Sequence, residues 1–203
     1  MPSGTKWSSQ NVGARKPSEA GLYFQWGDTV GYTADQVGTG EGQKKFASDW
    51  SDYKWRLSGD SDSNVAFTKY TTPGATLELE DDAAHAHMGD EWHMPTPTQI
   101  QELIDNTTSA WTASDGISGT TFTSKKDTSM SIFIPAAGYA YDGLVGVVGS
   151  EGDVFSSMLY TDDARYVQGL RFYFYKFPVS SSNSYIAHQK SYLGYSVRGV
   201  IDG

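Results

Sequence analysis

The sequence predicts a single α+β domain of short strands, two helices and long loops, on three observations. The 203 residues include 22 Gly, 13 Tyr and 6 Trp, with only 19% charged residues. That composition favours turns and short strands over a helical bundle, which would carry more Ala, Leu, Glu and Lys. One phrase, Thr96-Pro97-Thr98-Gln99, has the form of a helix start. Another, Leu170 to Tyr175, alternates apolar and polar residues in the manner of a strand. A chain of this length buries about 70% of its unfolded surface and needs no covalent staples. No internal repeat and no linker separates two cores.

Along the chain, Gly21-Leu22-Tyr23-Phe24-Gln25-Trp26-Gly27 predicts a short strand ending in a turn. Asp35 to Lys45 and Gly59 to Asn64 are polar, glycine-containing loops, and Trp50, Tyr53 and Trp55 are wedges between irregular segments. A first helix is expected over about residues 80–87. The second has Thr96 as N-cap, Pro97 at the first helical position and Gln99 three residues after the cap. Ile100, Leu103 and Ile104 then form one apolar stripe, and Asn106 with the Thr-Thr-Ser after it ends the helix. Strands are expected at Thr120–Thr123, Ser131–Pro135, Leu144–Val148 and Leu170–Tyr175, with a final element over Tyr195–Val200. In the fourth, a period of two places Leu170, Phe172 and Phe174 in a core and Arg171, Tyr173 and Tyr175 on the opposite face.

Composition excludes several functions. With no Cys, disulfides, zinc–thiolate sites, iron–sulfur clusters and cysteine nucleophiles are ruled out. A net charge of −9 repels phosphate backbones, so nucleic acid is not an expected partner. No apolar run reaches the roughly 18 residues of a membrane span, and no secretory leader is visible.

The candidate site is a recognition face. Tyr173 and Tyr175 project beside Arg171, and Tyr160, Arg165, Tyr166, Asn183, Tyr185, His188 and Tyr192 are placed in flanking loops. Tyr offers a large rigid contact area with a hydroxyl, and Ser, Asn and Gly add adaptable hydrogen bonds. The plainer alternative is that these tyrosines are ordinary amphipathic surface. Metal binding is disfavoured: His85 and His87, two apart on a helix, point in different directions. Asp60, Asp62 and Asn64 lack the central Gly and closing Glu of a calcium loop. For catalysis there is no Gly-x-Ser-x-Gly elbow and no Walker-type glycine loop. Adjacent acids such as Asp162-Asp163 fit a solvated turn. Neither metal nor cofactor is expected.

Several phrases occur together and in order. They are Pro2-Ser3-Gly4-Thr5-Lys6-Trp7, Asn11-Val12-Gly13-Ala14, Tyr23-Phe24-Gln25-Trp26-Gly27, Tyr53-Lys54-Trp55, Thr68-Lys69-Tyr70 and Leu79-Glu80-Asp81-Asp82-Ala83-Ala84. Trp92-His93-Met94-Pro95-Thr96, Phe133-Ile134-Pro135-Ala136-Ala137-Gly138-Tyr139, Phe155-Ser156-Ser157 and Ser196-Val197-Arg198 follow. Over nearly its whole length the chain thus resembles the Fibrobacter succinogenes major paralogous domain family of gut Bacteroidales. The resemblance implies a C-type-lectin-like fold, akin to that of formylglycine-generating enzymes, whose paired-cysteine chemistry this cysteine-free chain lacks. Family members often carry Cys where Gln10 precedes Asn11 and where Thr107 to Ala110 precede Trp111 here.

The last third also resembles the variable proteins of diversity-generating retroelements, in which adenine replacement diversifies a C-terminal segment. This implies a scaffold over 1–154 and a variable segment over 155–198, bracketed by Phe155-Ser156-Ser157 and Ser196-Val197-Arg198. Seven of the 13 Tyr lie between Tyr160 and Tyr195, and all six Trp lie at or before Trp111, which fits that mechanism. Met158, Gln168, Lys176, Gln189 and Lys190 do not arise from such codons and would be fixed positions. The implied function is non-catalytic binding of a protein or glycan on another cell surface, by a protein at a cell surface or on a phage particle. The alternatives are an undiversified cell-envelope adhesion or structural module and, more distantly, a hydrolase.

Overall fold

The computed structural model describes residues 1–175 and 181–203, apart from the side chains of Tyr175, Ser181 and Ser182. Among the described residues the fold is mixed α+β, with two α-helices among many short strands. In chain order these are β1 (Lys6–Trp7), β2 (Tyr23–Phe24), β3 (Arg56–Ser58), β4 (Ala66–Phe67), α1 (Ala83–Met88), α2 (Pro97–Asn106), β5 (Thr107–Ser114), β6 (Ile117–Ser124), β7 (Ser131–Pro135) and β8 (Tyr139–Tyr141). Next come β9 (Leu144–Gly146), β10 (Glu151–Leu159), β11 (Tyr166–Tyr175), β12 (Ser181–Lys190), β13 (Tyr195–Ser196) and β14 (Val200–Ile201). No helix among the described residues is long and apolar enough to cross a membrane.

The central sheet runs β12-β11-β10-β13-β2. Its two faces support separate cores. On one, Val154, Leu170 and Phe172 meet Ile100 and Leu103 of α2 with Phe122 and Ile134 of the β5-β6-β7 sheet, and Ile186 packs against them. On the other, Phe155, Val167 and Tyr195 join Trp26, Met94 and Val197. A third group packs Trp50 edge-on to Tyr53, Phe67 and Tyr192.

The helix signals are realised. In α2, Thr96 Oγ1 accepts from Gln99 N–H at 3.2 Å and Gln99 Oε1 accepts from Thr96 N–H at 2.9 Å, so two otherwise unpaired donors are satisfied reciprocally. The first helix starts later than expected. Leu79–Asp81 forms a 3₁₀ turn, and Asp82 then caps α1 by accepting from Ala84 and His85 N–H.

The second helix ends at Asn106 as expected, and the threonine-rich run after it continues as a strand that the sequence does not announce, β5, in which polar β-branched residues suit a largely exposed edge. Three expectations need correction. The final element divides into β13 and β14 around Arg198. Phe174, assigned to the core by alternation, is 37% exposed and rests on the Trp111 ring at 5.6 Å, because it lies near the end of its strand. Finally, Tyr166 belongs to β11, and Asn183, Tyr185 and His188 belong to β12, whereas loops were expected there.

Candidate functional site

The strands β10, β11 and β12 form an antiparallel ladder. It pairs Glu151 with Tyr173, Asp153 with Arg171, Arg171 with Tyr185, Tyr173 with Asn183 and Val167 with Gln189. Directly paired residues share a face, so Glu151, Asp153, Arg171, Tyr173, Asn183, Tyr185 and Gln189 all lie on one side. At one end of this face Phe155, Val167 and Tyr195 are core. Towards the other end the surface opens, and Tyr185 is 43% exposed. The Tyr173 and Tyr185 rings meet edge-on at 6.2 Å, and Asn183 Nδ2 donates to the Tyr173 hydroxyl at 3.4 Å. Tyr175 pairs with Ser181 through the backbone, but its side chain lies outside the described residues, as does Lys176.

A charged cluster lies beside the tyrosines on the same face. Arg171 Nε donates to Asp153 Oδ1 at 2.8 Å and is 3.2 Å from Glu151 Oε1. Gln189 Nε2 donates to the same Asp153 oxygen at 2.8 Å and to the Leu170 carbonyl at 3.2 Å. The Asp153 side chain is 0% exposed, whereas Arg171 keeps 25% of its side-chain surface in solvent. Burial pushes the Asp153 carboxyl up to about 7 against the opposing pull of Arg171, and the neighbouring Glu151 adds to the rise. Asp153 Oδ2 and Gln189 Oε1 are buried and have no hydrogen-bond partner among the described residues. Gly169 makes room for the amide: a Cβ there would come within 1.9 Å of Gln189 Oε1.

The other expected residues lie elsewhere. His188 stacks on Tyr160 with ring centroids 3.7 Å apart, and the Tyr160 hydroxyl donates to Asp162. Arg165 binds Asp163 through Nε and Nη2, which holds Asp163 below the usual carboxylate range, and it also donates to the Asp62 carbonyl. Lys190 pairs with Asp62 and lies over the rings of Tyr166 and Tyr192 at 5.4 and 5.6 Å. Tyr192 was expected at the surface. It is buried against Trp50, and its hydroxyl donates to the Ser48 carbonyl at 3.0 Å. A large ring next to an aromatic cluster gains more by packing than by display. The ten expected residues therefore divide into Arg171, Tyr173, Asn183 and Tyr185 on the open face, the Tyr160–His188 stack, the Arg165–Tyr166–Tyr192 group, and Tyr175.

Sequence reasoning missed Glu151, Asp153 and Gln189. The alternation Glu151, Asp153, Phe155 was a signal for a strand, but it follows directly on a glycine-rich turn.

The possible cation ligands have other partners. Glu78, Glu80 and Asp81 come together around Lys69 Nζ, at 2.6, 3.3 and 2.6 Å. His87 Nε2 lies 2.8 Å from the Thr29 carbonyl while His85 faces Asp90, so the two imidazoles do diverge. Asp62 accepts from Trp50 Nε1, and Asn64 Oδ1 accepts from the Asp60 and Ser61 N–H groups. No family model, curated protein or solved structure matches the chain.

Proposed function

We propose that the open end of the β10–β11–β12 face is a recognition surface for a protein or glycan on another cell, carried on a C-type-lectin-like scaffold. The observation that carries this reading is the convergence of Arg171, Tyr173, Asn183 and Tyr185 on one side of a paired hairpin. A two-ring aromatic platform ringed by polar groups fits contact by stacking and hydrogen bonding, with few torsions left to freeze. The same surface supports diversification by a retroelement. Tyr and Asn, at the outward positions, are products of the codons such systems alter. Gln189, which is not, is buried against Asp153, and Lys190, also not, is tied to Asp62. On this reading the protein is displayed at a cell surface or on a phage particle and acts by binding alone.

Two experiments test the proposal. Screening against a glycan array and a panel of bacterial surface proteins should yield a ligand whose affinity falls at least ~10-fold in Tyr173→Ala and in Tyr185→Ala. The melting temperature should shift by no more than about 3 °C in either variant. Large losses of stability with unchanged affinity would make the rings structural and defeat the assignment. For diversification, the codons of Phe155 to Arg198 should have a near-identical copy beside a reverse-transcriptase gene.

A further inference from the structure

Two buried acceptor atoms on this face have no donor among the described residues. Asp153 Oδ1 already receives Arg171 Nε and Gln189 Nε2, so one oxygen takes both donors while Oδ2 takes none. The Gln189 amide is in a similar state: Nε2 is used twice and Oε1 not at all. Exchanging the amide oxygen and nitrogen offers no remedy, since Nε2 faces two acceptors, Asp153 Oδ1 and the Leu170 carbonyl. Buried polar atoms in native proteins are nearly always paired, and an ionised carboxyl can only accept whereas a neutral one carries a donor. A single hydrogen on Oδ2 would supply what is missing.

We propose that Asp153 is a proton-binding site within the recognition face: Oδ2 holds the proton, donates it in a hydrogen bond to Glu151 or Gln189, and its gain or loss resets the Arg171 side chain above it. The groups that face Asp153 come from five strands. Glu151 on β10 is acidic and Arg171 on β11 basic, Gln189 on β12 is neutral, and Tyr139 on β8 and Tyr195 on β13 hold phenols that burial pushes upward. The two phenols stay neutral through the physiological range, so Asp153, Glu151 and Arg171 set the local charge. Loss of the proton makes the cluster one charge more negative, on the same face as Tyr173 and Tyr185. Acidification therefore favours an acidic group on the partner, and alkalinisation a basic one. The raised Asp153 carboxyl, at about 7, places this change near neutrality.

The proton site stands on the buried geometry alone, and its regulatory consequence rests on the recognition reading. The test follows the carboxyl carbons of the ¹³C-labelled full chain by NMR. The Asp153 Cγ should titrate between about 6 and 8, far above the ordinary aspartate value near 4. The ring signals of Tyr173 and Tyr185 and the Arg171 Nε–H should move with the same midpoint. Asp153→Asn matches the acid form in shape and keeps a donor at that position. It should fold, abolish the pH-dependent movement of both rings, and flatten the dependence of melting temperature on pH. The wild type should melt lower as pH rises from about 5 to 8, because a carboxyl with a raised folded-state pKa is stabilised only while its proton is retained. An Asp153 Cγ titrating below about pH 5 would overturn the proton site and leave the recognition reading intact. Titration near neutrality with both rings unmoved would overturn the link to the face. Loss of neither affinity nor stability in the tyrosine variants would instead overturn the recognition reading.

Discussion

Arg198 is fully buried, and no carboxylate among the described residues pairs with it. Its guanidinium is held by oxygens alone: Nε donates to the Ser8 carbonyl at 2.9 Å, Nη1 to Asn11 Oδ1 at 3.0 Å and Nη2 to the Phe133 carbonyl at 3.0 Å. Burial disfavours the charge, and three aligned acceptors offset part of that cost. A planar fork reaches three acceptors at fixed angles, whereas an ammonium does not. Arg198→Lys should therefore lower stability by on the order of 3 kcal/mol, read as a lower urea midpoint at unchanged slope. A loss under about 1 kcal/mol would mean that the fork is dispensable. The sequence marks Arg198 as the end of a phrase but gives no hint of its burial, because its acceptors come from residues 8, 11 and 133. Asp153 was illegible for the same reason: its environment is assembled by strands that meet only in the folded chain.

Among the elements, those fixed by local chemistry were legible and those fixed by partners were not. The α2 start could be read because cap, proline and reciprocal glutamine lie within four residues. Thr96→Ala should cost about 1 kcal/mol, measurable by thermal melting. No change would imply that Gln99, which also donates to Asp202 at 2.8 Å, holds the helix start without the threonine. In contrast, β12 opens Ser-Ser-Asn-Ser, a run that local preference would send into a loop. It extends because every residue from Ser181 to Lys190 has a partner in β11, and because Ile186 packs against the core that α2 helps to build. Leu170→Ala, in the middle of that ladder, should cost about 2–5 kcal/mol and lower the melting temperature sharply. Tyr185→Ala, on the open side, should not.

The whole molecule combines opposing pH responses. Asp163 beside Arg165, Asp115 beside Lys16, and Asp49 and Asp127 bonded to neighbouring serines all have lowered carboxyls. Their stabilisation is complete above the unfolded aspartate value near 4 and is lost as pH falls through their folded values. Asp153, and Asp82 where burial outweighs its backbone hydrogen bonds, are raised and act in the opposite sense, favouring the fold while protonated. The melting temperature should therefore peak in mildly acidic solution, at about pH 5, and decline on both sides. A maximum above pH 7 would mean that Asp153 is ionised throughout.

The ladder between β11 and β12 pairs all ten positions of each strand without a slip. Outward positions there can be exchanged as a set while their inward neighbours stay constant. A combinatorial library randomising residues 173, 183 and 185 should yield mostly folded clones, and one randomising 170, 172 and 186 mostly aggregates. The hairpin would then serve as an engineerable cassette for new binding specificities.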